Sequence, residues 1–290
     1  MKFGLAIADF SLPGGPPAIA SSVRATAQVA EEAGFSRLVV VDHVWQFGGG
    51  SVEQEMLESY TTLGYLAAVT THAELLTLVT AATYRPPGLL AKMVTTLDVL
   101  SGGRAWLGIG AGAPFGGAEA TGLGLPFPPV AERFERLEET LQVCLQMWSK
   151  DDGPYDGQHY QLGRTLNSPQ SLCRPHPPIL IAGSGERKTL RLVAQYADAC
   201  NLFAGPELPR RLDALRAHCR DLGRDYDEIE KTVLLPLDPG AGGRNIDALL
   251  KQLQHFSDLG IQSVYGPVTD AHELTPLRLL GKHVIPAMSQ

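Results

Sequence analysis

The sequence predicts an α/β fold, a (β/α)8 TIM barrel, and three observations favour it. Short apolar runs bounded by turn residues recur along the chain, and longer segments with helical periodicity lie between them. The apolar runs are nearly continuous rather than alternating, as expected for strands with both faces buried. A length of 290 residues lies within the range of one α/β barrel. We therefore expect residues 1–290 to form a single barrel domain.

Eight strands are predicted, at residues 3–8, 37–41, 75–80, 105–109, 178–182, 199–203, 232–235 and 261–265. The longest predicted helix, 130–148, has apolar residues at steps of three and four, with its charged residues, Arg133 among them, largely on the other face. Another helix begins after Asn245, a favourable N-cap, and ends at Gly260. The first helix ends similarly at Gly34.

Two segments are longer than ordinary connections in a compact domain, and such segments are usually functional. Residues 113–129 are rich in Gly and Pro and follow the fourth strand, whereas residues 151–177 precede the fifth strand. The first must leave the C-terminal end of its strand, so we expect it to form part of a cofactor or substrate wall. The second is an insertion whose location the sequence leaves open, and a solvent-exposed decoration is an equal alternative.

Composition argues against several classes of partner. The formal net charge is −7, and no Lys/Arg cluster is long enough to track a phosphate backbone, so neither nucleic acid nor an anionic membrane is expected. The start, MKFGLAIADF, is a poor secretory signal and no long apolar stretch follows, so a cytoplasmic location is expected. Cysteines and histidines lack Cys-x-x-Cys and His-x-x-x-His spacing, so no disulfide framework or metal site is predicted.

In a barrel of this kind, residues just after each strand face the active site, and residues just before a strand face the opposite end. Asp98 and Arg104 fall at the opposite end, where a structural ion pair or cap is their best interpretation. The residues on the active side are Asp9, Asp42, His43, Trp45, Thr80, Thr83, Arg85, Gly110, Ala111, Gly112, Gly183, Ser184, Gly185 and Asn201.

The turn Gly183-Ser184-Gly185, from the fifth strand into its helix, is a candidate phosphate site. Glycines let the backbone approach an anion closely, and a helix N-terminus presents N–H groups with partial positive charge. Arg187 or Lys188 can add a charged contact. The alternative is a tight corner without a ligand. The glycines of 108–112 match no Rossmann fingerprint; they either let a ring or phosphate chain lie against a strand end or pack against a loop.

His43, which follows Asp42 and the second strand, is the most reactive candidate. Histidine titrates near neutral pH and can donate or accept a proton at a reacting centre. An isolated histidine is usually structural, but the position at a strand's C-terminal end favours catalysis. The sequence has no Gly-x-Ser-x-Gly elbow, and nothing in it indicates nucleophilic hydrolysis.

Five stretches, taken in order, resemble the bacterial luciferase-like monooxygenase superfamily and, within it, the coenzyme F420-dependent oxidoreductases. They are ESYTTLGYLAA (58–68), LVT to YRPP (78–87), TTLD to GAG (95–112), GLPFP (124–128) and PPILIAGSGE (177–186). The resemblance covers nearly the whole chain. It implies a barrel with a flavin or 5-deazaflavin at its mouth, in a protein that acts on a small molecule and is commonly a homodimer.

The resemblance also implies roles for individual residues. Asp42 and His43 match positions that contact the ring and assist proton transfer, with His43 catalytic, and Trp45 resembles an aromatic on the substrate side. Thr77 and Leu78 correspond to a third-strand position that often carries a cis non-proline peptide. The expected cofactor-binding residues are Asp42, Thr77, Leu78, Thr80, Gly110, Ala111, Gly112, Gly183, Ser184, Gly185 and Arg187.

The likeness is incomplete after Gly112, where this chain is longer before Gly124 than similar sequences. The acid that some relatives use in catalysis therefore does not carry over directly, and Glu119 is a candidate for it.

Three functions stay open at this point. In the preferred one, reduced coenzyme F420 donates a hydride from C5 to an unsaturated or carbonyl-like substrate while His43 handles the proton. In the second, a two-component monooxygenase uses reduced FMN and oxygen; a deazaflavin has carbon at position 5 and does not form the oxygen adduct that this chemistry needs. In the third, the chain binds a flavin without catalysis, because a fold does not prove activity.

Overall fold

The computed structural model describes residues 1–47 and 51–289. Its strands are β1 (Lys2–Ile7), β2 (Arg37–Val40), β3 (Glu74–Thr77), β4 (Thr80–Ala81), β5 (Leu107–Gly110), β6 (Tyr155–Asp156), β7 (Gln161–Leu162), β8 (Ile179–Ala182), β9 (Ala199–Phe203), β10 (Glu230–Leu234) and β11 (Ser263–Gly266). Its α-helices are α1 (Pro16–Ala33), α2 (Ser59–Val69), α3 (Pro87–Ser101), α4 (Gly117–Gly122), α5 (Val130–Met147), α6 (Thr189–Tyr196), α7 (Leu208–Leu222), α8 (Ile246–Asp258), α9 (Thr275–Leu279) and α10 (Ile285–Met288).

Nine strands form one parallel sheet in the order β3-β2-β1-β11-β10-β9-β8-β5-β4. Since β3 pairs with β2 and β4 pairs with β5, these two short strands together occupy the third position of an eight-stranded barrel. A parallel bridge between Leu75 and Ala105 completes the circle. The predicted (β/α)8 barrel is confirmed.

The third predicted strand, 75–80, is divided where one continuous strand was expected. The peptide bond between Leu78 and Val79 is cis, one bond further along than the position expected at Thr77 and Leu78. At this level the backbones of β3 and β5 lie very close together. A Cβ on Gly108 would lie 1.7 Å from the carbonyl oxygen of Thr77, so only glycine fits there.

The N-terminal end of the barrel is closed by a buried ion-pair network. Arg37 is 1% exposed, and its guanidinium lies 4.0 Å from the centroid of the Trp106 ring. It donates to Glu74 at 2.5 Å, to Glu230 at 2.8 Å and to the hydroxyl of Tyr265. The positive charge of Arg37 is thus paired with the carboxylates of Glu74 and Glu230. The apolar layer of the barrel interior consists of Ala6, Val39, Leu76, Trp106, Leu180, Ala199 and Tyr265.

The predicted helix ends agree with the structure except in one cap. Gly34, with φ 96°, caps α1 in the left-handed conformation, and Gly260, with φ 86°, follows α8. Asn245 does precede α8, but its amide donates to Asp238 at 3.0 Å instead of its side chain capping the helix. The capping role expected of Asn245 is wrong.

Asp98 and Arg104 cap main-chain groups instead of pairing with each other. Asp98 accepts from the main-chain N–H groups of Leu172 at 2.5 Å and Cys173 at 3.1 Å. Arg104 donates to the main-chain carbonyls of Ala67, Thr70, Ala73 and Ser101. Of the two expected alternatives, the cap is present and the ion pair is not.

The insertion 151–177 lies against the outer faces of α3 and α5. The hairpin β6–β7 follows α5, where Glu139 accepts from the main-chain N–H groups of residues 158, 159 and 160. Further along, Asn167 donates to Thr95 of α3 at 3.0 Å, and the 172–173 backbone binds Asp98. This segment therefore straps two helices on the outside of the barrel instead of lining its mouth.

Across the described ranges, none of the helices has the length and apolar character needed to cross a membrane. All four cysteines are unpaired; Cys144, Cys200 and Cys219 are buried, and Cys173 is half-buried.

Candidate active site

Two segments that are distant in sequence meet at the C-terminal face of the barrel. The first follows β2 and contains Asp42, His43 and Trp45. The second is the insertion 113–129 after β5, in which α4 carries Glu119. The side chains of His43 and Glu119 lie within hydrogen-bond distance although they are 76 residues apart in the chain.

Glu119 is bonded on both carboxylate oxygens. Its Oε2 lies 2.7 Å from Nδ1 of His43 and accepts from the hydroxyl of Tyr84 at 2.8 Å. Its Oε1 accepts from the main-chain N–H of Trp45 at 3.0 Å and from that of Val44. The Glu119 side chain is 7% exposed, whereas that of His43 is 17% exposed. The carboxylate is thus enclosed while part of the imidazole faces the surface.

These bonds fix the charge of Glu119 and thereby the orientation of the imidazole. Burial alone would raise the pKa of Glu119, but the hydrogen bonds from His43, Val44, Tyr84 and Trp45 outweigh it and lower this pKa to about 2. An ionised carboxylate can only accept, so Nδ1 of His43 carries the hydrogen of their shared bond. Proton exchange with any other group therefore involves Nε2.

Asp42 lies beneath this pair in a second charged cluster. Its side chain is fully buried and accepts from Arg85 at 2.5 and 3.1 Å and from Ser59 at 2.7 Å. Arg85 also binds Glu58 at 2.6 Å and lies 4.7 Å over the ring of Tyr60. Direct contact of Asp42 with a cofactor stays a prediction, and its observed contacts anchor the chain just before His43.

A line of buried hydroxyl groups continues from this cluster into the barrel. The hydroxyl of Tyr60 lies 3.1 Å from Oγ1 of Thr80, which donates to Oγ1 of Thr77 at 3.2 Å, and Thr77 donates to the carbonyl of Gly108 at 2.9 Å. Burial raises the pKa of Tyr60, so the phenol stays neutral. Thr77 and Thr80 are therefore fully buried and hold the backbone at this level of the barrel. Leu78, which lies between them in sequence, is half-buried and packs against the apolar layer of the barrel interior.

The turn of Gly110, Ala111 and Gly112 is held by an arginine expected on the surface. Arg133 of α5 is 5% exposed and donates to the carbonyls of Gly112 at 2.7 Å and Ala111 at 3.3 Å, with its guanidinium 4.4 Å over the Phe127 ring. The exposed position predicted for Arg133 is wrong because these carbonyls at a strand end need donors. The turn's main-chain oxygens are therefore already satisfied.

The Gly183-Ser184-Gly185 turn leads from β8 into α6 as predicted. Gly183 has φ 128°, and its N–H bonds the carbonyl of Asn201 at 3.1 Å, while the Ser184 hydroxyl accepts from the N–H of Phe203 at 3.3 Å. In the parts of the chain that are described, the main-chain N–H groups from Ser184 to Arg187 have no acceptor. A row of such donors before a helix fits a phosphate group. Arg187 is exposed beside them.

Two cavities on the described surface lie away from these residues. One of about 420 Å³ lies between α1 and α2, lined by residues such as Ile19 and Tyr65, and another of about 380 Å³ surrounds Ser36 and His72 at the N-terminal end. Neither includes His43 or the Gly183 turn. We place the site by strand ends and polar contacts, because catalytic groups of this fold lie at the C-terminal face.

Comparison with known sequences gives the family. The profile described as luciferase-like monooxygenase matches residues 1–264. The chain belongs to the luciferase-like monooxygenase family. An F420-dependent glucose-6-phosphate dehydrogenase of Microbacterium testaceum is 32% identical over 211 residues, which are 70% of this chain and 59% of that enzyme. The chain thus spans about three fifths of the length of the curated relatives that it matches first.

Solved structures share the fold of this luciferase-like chain. An F420-dependent secondary alcohol dehydrogenase in complex with an F420-acetone adduct has a TM-score of 0.80 at 17% identity, covering 99% of this chain and 98% of that one. The monooxygenase RslO1 from Streptomyces bottropensis has a TM-score of 0.79 at 19% identity, covering 99% of both chains. At these identities the likeness concerns the barrel itself.

Three contributors to the luciferase-like site were missed in the sequence. Tyr84 directly precedes Arg85 in the third strand-to-helix loop, so its position at the mouth could have been inferred. Arg133 lies four residues before Leu137, on the buried face of α5, and that spacing was the available signal. Ser59, the first residue of α2, has no comparable signal, because its bond to Asp42 depends on tertiary packing.

Proposed function

We propose that this chain is a coenzyme F420-dependent oxidoreductase that transfers a hydride between the deazaflavin and a small organic substrate. The observation that carries the proposal is the His43–Glu119 pair at the C-terminal face of the barrel. The names of the curated relatives, which are F420-dependent dehydrogenases, support the choice of cofactor. We propose that residues 1–290 form one barrel domain that carries this site.

The described residues fit an elongated cofactor that carries a phosphate group in its side chain. The donors from Ser184 to Arg187 would hold the phosphate, and Gly183 supplies the positive φ that opens the turn. The ring would lie toward His43, against Leu78 and the turn of Gly110, Ala111 and Gly112. Thr77, Thr80 and Asp42 would support these contacts from beneath.

When bound, F420 supplies the carbon that gives or takes the hydride. The chain supplies the proton path: in the oxidation of an alcohol, Nε2 of His43 takes the hydroxyl proton as the hydride leaves carbon, and in the reduction it returns that proton. Glu119 holds Nδ1–H and faces the imidazolium that forms, which stabilises the charge. Trp45 and Leu78 are the half-buried apolar side chains proposed to limit water at the reacting atoms.

Titration of the purified protein with F420 and with FMN, followed by fluorescence, tests the cofactor. We expect F420 to bind with a dissociation constant in the micromolar range or below, and FMN to bind more weakly. Binding of FMN alone would overturn the proposal and favour the monooxygenase alternative, which the description of the matching family as luciferase-like monooxygenase supports. Oxygen consumption with reduced FMN would then identify that activity.

Substitution of His43 separates catalysis from simple binding. We expect His43→Gln to retain F420 binding within about twofold while lowering turnover by about 10²-fold to 10⁴-fold, because the proton path is lost. His255→Gln, on the exposed face of α8, is the matched control. Unchanged turnover in His43→Gln would refute the proton role. F420 binding with no reducible substrate at all would favour a non-catalytic binding protein.

A homodimer and a cytoplasmic location complete the proposal. Helix α2 has no charged residue, and Thr61 and Ala68 are exposed on its outer face; on α3, which packs against α2, Leu89 and Leu100 are 54% and 73% exposed. An uncharged helix of this kind is usually covered. Ala68→Glu should give monomers by light scattering, whereas Ala248→Glu on α8 should not.

Unpaired cysteines are consistent with a reducing compartment.

A further inference from the structure

Helix α4 holds Trp45 at two points. Glu119 and Gly122 are three residues apart, so they lie on the same face of this helix. Glu119 accepts from the main-chain N–H of Trp45 at 3.0 Å. The six-membered part of the indole lies against Gly122. One turn of helix thus fixes both the backbone and the ring of this aromatic residue, two positions after His43.

Glycine is required at 122 by the space that the indole occupies. A Cβ there would lie 2.2 Å from Cη2 and 2.5 Å from Cζ2 of Trp45, well inside van der Waals contact. Backbone conformation does not require the glycine, because Gly122 is the last residue of α4 and has no positive φ. Gly124 is the contrasting case, with φ 70° and open space around it.

The glycine also has a cost for the helix. Alanine has a higher helix propensity than glycine. Alanine would therefore stabilise α4 if the indole were elsewhere. The contact with Trp45 is the structural reason for glycine at this position.

We propose that Gly122 is a specificity-determining residue that sets how far the Trp45 indole stands from α4, and thereby the size of substrate that the mouth accepts. The proposal rests on the proposed function, which places Trp45 on the substrate side. Any side chain at 122 must move the indole away from α4. The helix itself is held in place, because Glu119 is hydrogen-bonded to residues 43–45. The substrate space then changes without loss of the His43–Glu119 pair.

The first measurement reports the position of the ring. Trp106 and Trp148 are buried, so acrylamide quenching of tryptophan emission reports mainly on Trp45, and Trp45→Phe identifies its share. We expect Gly122→Ala to shift the Trp45 emission and change its quenching. Gly163→Ala is the control, because Gly163 is exposed in the 151–177 segment and has nothing within 4 Å of its would-be Cβ. Unchanged Trp45 emission in Gly122→Ala would overturn the proposal.

The second measurement reports selectivity. With F420 present, kcat/KM is measured for a series of 2-alkanols of increasing length. Gly122→Ala should change the ratio between the longest and shortest substrates by about tenfold, the size of effect that one methylene has in a pocket. In a Trp45→Leu background the same substitution should have no further effect, because the clashing ring is gone.

The outcomes separate the two proposals. Normal wild-type turnover with the same length preference in Gly122→Ala would overturn the role of Gly122 alone. Failure of the wild type to bind F420 would overturn the proposed function and this inference with it. Thermal unfolding of Gly122→Ala and Gly163→Ala checks that both variants are folded.

Discussion

Both ends of the barrel contain an arginine shared between two carboxylates and lying over an aromatic ring. At the N-terminal end Arg37 binds Glu74 and Glu230, and at the C-terminal end Arg85 binds Asp42 and Glu58. The two clusters differ in their connection to the rest of the molecule. The Arg37 network is closed on itself, whereas the Arg85 cluster anchors a segment whose next residue, His43, reaches the surface and meets a second carboxylate, Glu119.

The two ends show that residue type alone does not separate a structural ion pair from a functional one. Position relative to the strand ends does, because loops at the C-terminal face can bring further groups onto the anchored segment. If the two ends differ in this way, substitutions at the N-terminal end should affect stability alone, and substitutions at the C-terminal end should also affect the chemistry of His43.

Arg37→Met should have the largest effect on stability. Removing the buried cation leaves Glu230, whose side chain is 17% exposed, without its counter-ion and beside the half-buried Glu74, and breaking a buried pair costs about 3–5 kcal/mol. Denaturant unfolding measures the change, and Arg164→Met, from a surface pair with both side chains more than half exposed, should cost no more than about 1 kcal/mol. A loss below that level for Arg37→Met would mean that the N-terminal network is not a structural anchor.

Glu119→Gln should combine a smaller loss of stability with a specific pH dependence. The pKa of Glu119 in the folded protein, about 2, lies below its ordinary value of 4.5, so its stabilising effect is present above pH 4.5 and is lost as the pH falls toward 2. We expect wild type to exceed the variant by up to about 3 kcal/mol at pH 7. The difference should shrink progressively between pH 4.5 and pH 2.

Glu119→Gln should also change the tautomer of the His43 imidazole. A glutamine amide facing Nδ1 donates a hydrogen, so the proton of His43 should move to Nε2, which nitrogen-15 NMR of the imidazole detects. Turnover should fall by about 10²-fold or more. An unchanged tautomer together with a pH-independent stability difference would contradict the assignment of Glu119 as the partner that orients His43.

Tyr84→Phe should have the smallest effect. It removes one of the four hydrogen bonds to Glu119, which is worth about 1 kcal/mol. Burial and the bond to Glu119 raise the pKa of Tyr84, so the hydroxyl is a constant donor and the loss should not vary between pH 6 and pH 9. Urea unfolding at several pH values measures it. A loss as large as that of Glu119→Gln would show that Tyr84, rather than His43, is the main partner.

The sequence predicted the barrel well because each strand is a continuous apolar run, but it could not show where such a run breaks. Leu78 and Val79 are apolar like Leu75 and Leu76, so composition gives no signal for the division of the third strand, and only the family resemblance indicated a cis peptide, one bond too early. The rule that residues just after each strand face the active site placed His43 and Asp42 correctly at the mouth of the barrel. It could not show that the Asp42 carboxylate is fully buried under Arg85, since that depends on how α2 packs.

Glu119 illustrates a different limit. Its residue type and its place in the long insertion made it a candidate, but its four bonds come from two other segments of the chain, residues 43–45 and Tyr84. Only the folded arrangement brings them together. The location of 151–177 was undetermined for the same reason, because main-chain contacts such as those of Asp98 leave no pattern in the sequence.

Because Glu119 lies on α4, the two members of the His43–Glu119 pair come from different kinds of segment. The histidine belongs to the barrel loops, whereas its carboxylate partner arrives on a six-residue helix within an insertion. A change within that insertion would therefore remove or redirect the carboxylate partner of His43 while leaving the contacts of the strands, and those of 151–177 with α3 and α5, in place.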